Sequence, residues 1–548
     1  MPNKYESKRY FYDSVELPNP GLRSYLSATF NGNSDIYHTP WIKSKSNNKK
    51  IIKEFNKIMD SWRPHLEQLK GDWPSLYEFE EELFAKAGPM SVQKPLSQRL
   101  KDIDAYYECI QTAGAPVSEE AINATLDKFK SIKGLSVRSP KKTVEKMKLS
   151  TNSGAPFFSK RREIASKYST YAASGDFQYY YKRKPGAKSG LVCDTYKSAA
   201  ILGWRGQEGG RDVDDVKQRV VWMFPFAVNV DELTCYQPLI EAAQSFNLIP
   251  AWVGMDNVDE SITRLFDTKS PDDVVICTDF TKFDQHFNAP MQNAAKTILA
   301  GLLDGGPVSA RWLREVFPIK YNIPLIIGWE QVRFGEHGMA SGSGGTNVDE
   351  TLAHTALQFE AALSCGKELN PNSMCLGDDG VLTFPGITVE DVMRSYTSHG
   401  LEMNQDKQYV STQDCVYLRR WHHKDYRKDG VCVGVYSTAR ALGRLCMQER
   451  FFDSQHWGPK MVALRELSII ENCKHHPLKE EFADFCMERD KFRLGLDIPG
   501  FLDNIDAVAK EATDYMPDFL GYTKSMAKNS DKGISDWWIV NYLKSKRS

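Results

Sequence analysis

The chain has 548 residues, far beyond one ordinary domain, so several lobes are expected. Hydrophobic residues at 41% and charged residues at 26% describe a globular protein, and no run of about 18 uncharged apolar residues is present to span a membrane. Net charge is −1, from 70 basic and 71 acidic residues, which excludes the overall basicity of many nucleic-acid binders but not basic surfaces inside a channel.

Residues 1 to 50 are rich in Pro, Asn, Ser and Lys and read as an extended arm, and the opening "MPNKYESKRYFYDSVELPNP" has no apolar stretch that would make a secretory signal. From Ile51 to about Leu135 helical spacing dominates, as in "IIKEFNKIMDSW" and "EEAINATLDKFKSI". Ser136 to Gly210 is loop-rich, basic and aromatic, and "RVVWMFPFAV" (Arg219 to Val228) reads as a strand. Strands and helices alternate from Val230 to Ser437, and helices return after it. Local basic clusters stand at Lys43 to Lys50, Ser159 to Glu163 and Tyr179 to Gly190, and each could equally be a solvated face. The cysteines number 11, an odd count without CxxC pairing, which predicts reduced thiols in an intracellular protein.

The chemistry concentrates in the alternating region. In "DDVVICTDFTKFDQHFN" the run Val274 to Cys277 predicts a buried strand with Asp279 at its end, Asp284 past a turn, and a helix from about Met291 to Leu303. In "SGSGGTNVDETLAHTALQFEAALSCG" a glycine-rich loop, free to approach a ligand, precedes a helix whose apolar face is Val348, Leu352, Thr355, Phe359 and Leu363, with Gly366 as its stop. In "CLGDDGVLTF" two strands flank a tight turn at Gly377-Asp378-Asp379-Gly380. Two adjacent carboxylates among core residues repel each other, and burying either without a partner costs several kcal/mol. A bound divalent cation is the most economical remedy. If strand Val274 to Thr278 lies beside the hairpin, Asp279 joins Asp378 and Asp379 in a site for two hard cations about 3.5–4 Å apart. No Ser-His or Cys-His arrangement offers a protein nucleophile, so metal-assisted phosphoryl transfer is the reaction type that fits.

The order DFTKFD, SGSGGTN, GDD resembles motifs A, B and C of viral RNA-dependent RNA polymerases. The surrounding segments, from about Leu149 to Arg450, are similar to those of small double-stranded RNA viruses, nearest the picobirnaviruses and then the partitiviruses. The resemblance implies an α+β right-hand fold with an antiparallel palm sheet flanked by helices, a helical thumb and encircling fingers. It implies an arm at 1–50, fingers at 51–229, palm at 230–289, a fingers insertion at 290–334, palm again at 335–425, and thumb and tail at 426–548. By the same resemblance Asp279, Asp378 and Asp379 hold two Mg²⁺ ions, with Mn²⁺ able to substitute. Lys217 and Arg219 in "KQRVVWMFP" receive the triphosphate. Asp284, Ser341 and Asn347, with Gly342 and Thr346 in the same loop, check the ribose 2′-hydroxyl, and Lys407 protonates pyrophosphate. Ser153, Gly154, Lys160 and Arg161 guide the template, and Arg419 in "DCVYLRRWH" grips the primer strand.

RNA template and product, ribonucleoside triphosphates and a viral capsid protein are the implied partners of a monomer without a membrane, inside a virion or in host cytoplasm. A reverse transcriptase shares the acidic palm but ordinarily carries a bulky residue where Asp284 stands and lacks SGxxxTN. A non-catalytic, capsid-associated RNA binder on the same scaffold would have no need of three filled acidic positions. "CKHH" (Cys473 to His476) and His422-His423 lack the paired spacing of structural zinc sites, and Trp537-Trp538 reads as an apolar anchor.

Overall fold

The structure, a computed structural model, describes residues 7–9, 21–45, 47–155, 157–166, 199–328, 331–452, 455, 457–512 and 533–547. The basic cluster Tyr179 to Gly190 and most of the tail after Asp514 lie outside the described residues. The strands are β1 (Ser7–Arg9), β2 (Ala200–Gln207), β3 (Lys217–Met223), β4 (Val275–Thr278), β5 (Leu325–Gly328), β6 (Gln331–Arg333), β7 (Met374–Leu376), β8 (Asp379–Leu382), β9 (Tyr409–Ser411), β10 (Asp414–Tyr417), β11 (Arg420–His423) and β12 (Val435–Tyr436). Contacts divide the chain into two units. One comprises Met1–Asn31, Pro95–Trp204 and Val220–Tyr417, the other Gly32–Lys94, Arg205–Arg219 and Leu418–Ser548.

The first unit is built on an antiparallel sheet in the order β7-β8-β4-β9. The four residues of β4 are all buried because this strand pairs on both edges, with β8 and β9, and is covered on both faces. Helix Ala289–Leu302 packs on it, started by Asn288, whose side chain accepts the Met291 N–H at 3.3 Å, and by Pro290 in the first turn. Helix Thr346–Ser364 packs beside it in one core with Ile276, Leu299, Leu352 and Leu382. That helix ends in a Schellman arrangement, with Lys367 N–H on the Ala362 carbonyl (3.0 Å) and Gly366 N–H on that of Leu363 (2.9 Å). A second sheet runs in the order β1-β6-β5-β2-β3.

Three expectations need correction. Within the arm expected to be extended, residues Gly21–Asn31 form a helix that buries Leu22, Leu26 and Thr29. The apolar run Arg219 to Val228 is not one strand: β3 stops at Met223, Pro225 caps, and helix Phe226–Ser245 begins. Proline has no N–H for the ladder and suits a helix start, and an apolar run does not by itself tell strand from helix. The helix face assigned to Phe359 and Leu363 is also wrong at its far end, since Phe359 is half-buried and Leu363 exposed, whereas Ala353, Ala356, Leu357 and Ala361 are buried. Every residue from Val348 to Gln358 is buried, so this helix runs through the core and has no single wet side to define a stripe.

The second unit is mainly helical, with β11 and β12 paired antiparallel and Arg420 opposite Tyr436. Its fully buried Glu80 accepts from Ser437 Oγ (2.7 Å) and from the N–H groups of Thr438 (2.7 Å) and Ala439 (3.0 Å), closing the start of helix Thr438–Cys446. His476 Nε2 lies 2.8 Å from the same carboxylate, so this imidazole is engaged in structure. His422 is buried against the Cys432 carbonyl at 3.2 Å. Trp538 stacks on Tyr542 in the last helix, beside buried Ile539, Val540 and Leu543, in keeping with an anchor.

Candidate active site

The hairpin is tighter than the sequence suggests. Leu376 already pairs with Asp379, which leaves Gly377 and Asp378 as a two-residue turn, with Gly377 at φ +60 in its first position. That is the glycine-first pattern of a hairpin turn whose twist matches its strands. Asp378 is therefore exposed at the tip and Asp379 half-buried. The flanking strands are buried; the turn lifts Asp378 out of them.

β4 and β8 pair with Thr278 opposite Gly380. β4 ends one residue before Asp279, and β8 begins at Asp379, one residue before Gly380. Asp279 is held there by a residue the sequence did not flag. Gln408 Oε1 accepts the Asp279 N–H (2.9 Å), and its Nε2 donates to the Asp279 carbonyl (2.8 Å) and to that of Asn404 (2.8 Å). The side chain thus acts as one more rung of the sheet beyond the end of β9. Lys407, the preceding residue in the chain, is exposed.

Helix Thr346–Ser364 fixes the turn from behind. Thr351 Oγ1 accepts the Gly377 N–H at 3.0 Å, and His354 Nδ1 meets the Gly377 carbonyl at 2.8 Å. Burial pushes the His354 pKa down to about 4, so the neutral ring donates from Nδ1. Gln358 Nε2 donates to the Met374 carbonyl at 2.9 Å. The buried acid of the site is Glu350. Its carboxyl is pushed well above the usual range by burial first, and then by the charge of Asp284 and a hydrogen bond with it, and by Asp378 and Asp349. Glu350 thus lies buried beneath a patch of carboxylates. Asp284 itself is half-buried, and its carbonyl accepts the Met339 N–H at 2.8 Å.

The loop before the helix is seated against protein rather than open. A Cβ on Gly342 would fall 1.5 Å from the Trp222 carbonyl oxygen, so the glycine here serves close packing, and the expectation of a backbone left free for a ligand is corrected. Ser341 Oγ lies 3.4 Å from the Val220 carbonyl, and Thr346 Oγ1 donates within the loop to the Ala340 carbonyl (3.2 Å). Glu232, fully buried with its carboxyl pushed up by that burial, bonds the Ser343 hydroxyl and accepts the Gly344 N–H at 3.1 Å. Asn229 continues the chain of contacts, donating to the Gly342 carbonyl (3.2 Å) and accepting from Arg161 Nη2 (2.6 Å). Asp349 accepts from Tyr236 and Tyr321, each at 2.7 Å, and pairs with buried Lys320 at 3.0 Å.

The expected template-guiding residues divide. Ser153 is buried and its hydroxyl accepts the Ser159 N–H (3.1 Å), so its side chain shapes the loop. Gly154, at φ +64, packs against the Phe224 carbonyl. Lys160 is exposed, while Arg161 is half-buried, with desolvation pulling its pKa down to about 10. In the second unit Lys217 and Arg219 project from one exposed face of β3, alternating with buried Val220 and Trp222. Arg419 occupies a turn in which Leu418 and Arg419 both have positive φ, +52 and +62, a conformation such side chains adopt only under constraint. Burial and the charges of Arg440 and Arg219 lower the Arg419 pKa, and Glu208, which pairs with Arg440 at 2.9 Å, opposes them. Among the described residues no group of three or more His, Cys, Asp or Glu side chains is gathered as a ready-made metal site, and no helix is long and apolar enough to cross a membrane.

Paired aspartates on a hairpin tip, a third at the end of the adjoining strand, and a glycine loop and helix between them in chain order belong to viral RNA-dependent RNA polymerases. The family model of that description matches residues 78–432, and the chain belongs to the family. Within it the similarity runs to picobirnaviruses, as the motifs imply. The chain is 56% identical to the "potential RNA-dependent RNA polymerase" of a human picobirnavirus (strain Human/Thailand/Hy005102/-) over 537 residues, 97% of this chain and 98% of that one. The crystal structure of the RNA-dependent RNA polymerase of a human picobirnavirus matches with a TM-score of 0.86 and 52% identity, covering 100% of this chain and 99% of that one. An insertion-loop deletion mutant of such a polymerase matches at 0.84 and 53%, covering 97% of each chain. The reverse-transcriptase alternative falls with these matches.

Proposed function

We propose that this polymerase joins ribonucleotides on an RNA template at the sheet edge shared by Asp279, Asp378 and Asp379, and that these carboxylates hold two Mg²⁺ ions, which Mn²⁺ can replace. The observation that carries the reading is the β4–β8 register, together with the Gln408 clamp that keeps Asp279 at that edge. The donors are hard oxygens, as Mg²⁺ prefers, and a cation among them would offset the mutual repulsion of the carboxylates. When bound, such ions lower the pKa of an attacking 3′-hydroxyl and offset charge on departing pyrophosphate.

The chain's own residues bind and orient around that chemistry. Lys217 and Arg219 receive the triphosphate. Asp284, Ser341 and Asn347 check the sugar, in a loop shaped by Gly342 and Thr346, because a polar pocket left unpaired by a deoxynucleotide discriminates strongly. Lys407 delivers a proton to pyrophosphate. Lys160 and Arg161 guide the template, and Arg419 holds the primer strand. The sheet β7-β8-β4-β9 lies in the palm of 230–289 and 335–425, the fingers span 51–229 with an insertion at 290–334, 426–548 is the thumb and tail, and 1–50 an N-terminal arm. A capsid protein, double-stranded genomic RNA and a site of action within the particle or the host cytoplasm complete the reading.

Purified full chain with RNA template, Mg²⁺ and ribonucleotides should extend RNA, and Asp378→Ala should abolish synthesis while its thermal midpoint stays near wild type. RNA retention without product in the wild type would favour the non-catalytic binder instead. Full activity in Asp378→Ala would defeat the metal assignment.

A further inference from the structure

Asn347 stands exposed in the first turn of helix Thr346–Ser364, and its amide has two unlike ends. Which end faces the nucleotide decides what the side chain can recognise. Trp252 settles the orientation. Its indole nitrogen lies 2.7 Å from Asn347 Oδ1, and an indole N–H can only donate. Amide orientations are usually fixed by a whole network of partners, but a donor-only neighbour leaves one choice. The oxygen faces Trp252, and the NH₂ points away from it. On that other side lies the hairpin turn, where a Cβ built on Gly377 would sit 4.0 Å from Asn347 Nδ2.

Trp252 is itself immobilised. It is 5% exposed and belongs to the core that includes Val348 and Leu352. Pro250 opens the short helix Pro250–Val253, the Trp252 N–H donates to the Ile249 carbonyl (2.9 Å), and its own carbonyl accepts from Gln244 Nε2 (2.8 Å). A rigid donor 95 residues away in sequence therefore holds an exposed amide on the rim of the site.

We infer that Trp252 is a positioning residue for sugar selection: it keeps the Asn347 N–H groups turned toward the nucleotide beside the Gly377-Asp378 turn. The inference rests on the proposed sugar-checking role of Asn347. Its chemistry is one of matched partners. A ribose 2′-hydroxyl has one proton to give and lone pairs to receive. Between an Asn347 N–H and the carboxylate of Asp284 it accepts from the first and donates to the second. With the amide reversed it would face two acceptors and could satisfy only one. Deoxyribose offers a C–H to either arrangement, so the orientation matters only for ribonucleotides.

The test measures kcat/KM for one ribonucleotide and its 2′-deoxy counterpart on an RNA primer-template, using full-length wild type, Trp252→Phe, Asn347→Ala, Asn347→Asp and the Trp252→Phe/Asn347→Ala double variant. Trp252→Phe keeps the ring and loses the N–H. It should lower the ribo-to-deoxy ratio by ~2- to 10-fold, the worth of one hydrogen bond, with the loss on the ribonucleotide side. Asn347→Asp keeps an acceptor for Trp252 but has no donor for the sugar, so its ratio should fall as far as that of Asn347→Ala. The double variant should be no worse than Asn347→Ala. If Trp252→Phe loses its thermal transition, Trp252→3-benzothienylalanine preserves the shape without the N–H and should give the same shift. A wild-type ratio in either Trp252 variant, with the Asn347→Ala ratio lowered, overturns the inference alone. Equal losses for both sugars in Trp252→Phe, additive with Asn347→Ala, overturn it too. An unchanged ratio in Asn347→Ala removes the sugar-checking reading and the inference together.

Discussion

Replacing Gln408 with leucine removes both ends of the clamp on Asp279 while keeping most of the side-chain volume. The two bonds to Asp279, at 2.9 and 2.8 Å, are its attachment to β9 beyond the last paired residue. Each is worth a net ~0.5–1.5 kcal/mol, so the pair holds Asp279 in place by about 1–3 kcal/mol. Asp279 is exposed, so water can take over its backbone groups and the loss falls on position more than on stability. At about 1.4 kcal/mol per tenfold, single-nucleotide addition at saturating substrate should slow by roughly 5- to 150-fold in Gln408→Leu. Because a loosened ligand binds its cation less well, the Mg²⁺ concentration for half-maximal rate should rise. Quenched-flow extension of a preformed primer-template, at a series of Mg²⁺ concentrations, measures both quantities. Rates within twofold of wild type at every Mg²⁺ concentration would refute the clamp.

Gly342→Ala should cost well over tenfold in activity and lower the melting temperature, because its Cβ would fall 1.5 Å from a strand carbonyl that has no room to move; wild-type values in both would mean the loop is seated elsewhere. Acid should destabilise the second unit through His422. Burial first, and the charge of Arg420 next, bring its folded pKa down to about 3, against about 6.5 unfolded. The folded state therefore prefers the neutral ring. Its contribution is complete above pH 6.5 and drains away as pH falls toward 3, the loss reaching about 2 kcal/mol by pH 5. Unfolding free energies from denaturant titrations at pH 5 and 7 should differ less in His422→Phe than in wild type by that amount, and an equal difference would contradict it.

The parts of this site that could be read in the sequence are those whose cause is local. The short apolar run Val274 to Cys277, bounded by turn signals, reads as a strand, which the structure has one residue further on at Val275–Thr278, and the glycines at 377 and 366 mark a turn and a helix end where the structure has them. Order along the chain carried the rest, since the three acidic and glycine motifs define the family between them. What could not be read depends on distant partners. Gln408 looks like any polar surface residue until β9 is laid beside β4. Glu232 and Trp252 are separated from the loop and the amide they hold by about a hundred residues. A signal did exist in helix Thr346–Ser364, where Glu350 and His354 interrupt small and apolar residues at core positions. Polar groups spaced that way in a buried helix have partners to find, and here they are Asp284 for Glu350 and the Gly377 carbonyl of the turn for His354.

The most direct measurement is anomalous diffraction from crystals of the full chain grown with RNA template, primer and a non-hydrolysable ribonucleotide in Mn²⁺. Density should appear about 2.0–2.3 Å from carboxylate oxygens of both Asp279 and Asp378. Manganese bound to the triphosphate alone, with either aspartate standing apart from it in a complex that extends RNA once a natural nucleotide is supplied, would contradict the shared edge as the seat of catalysis.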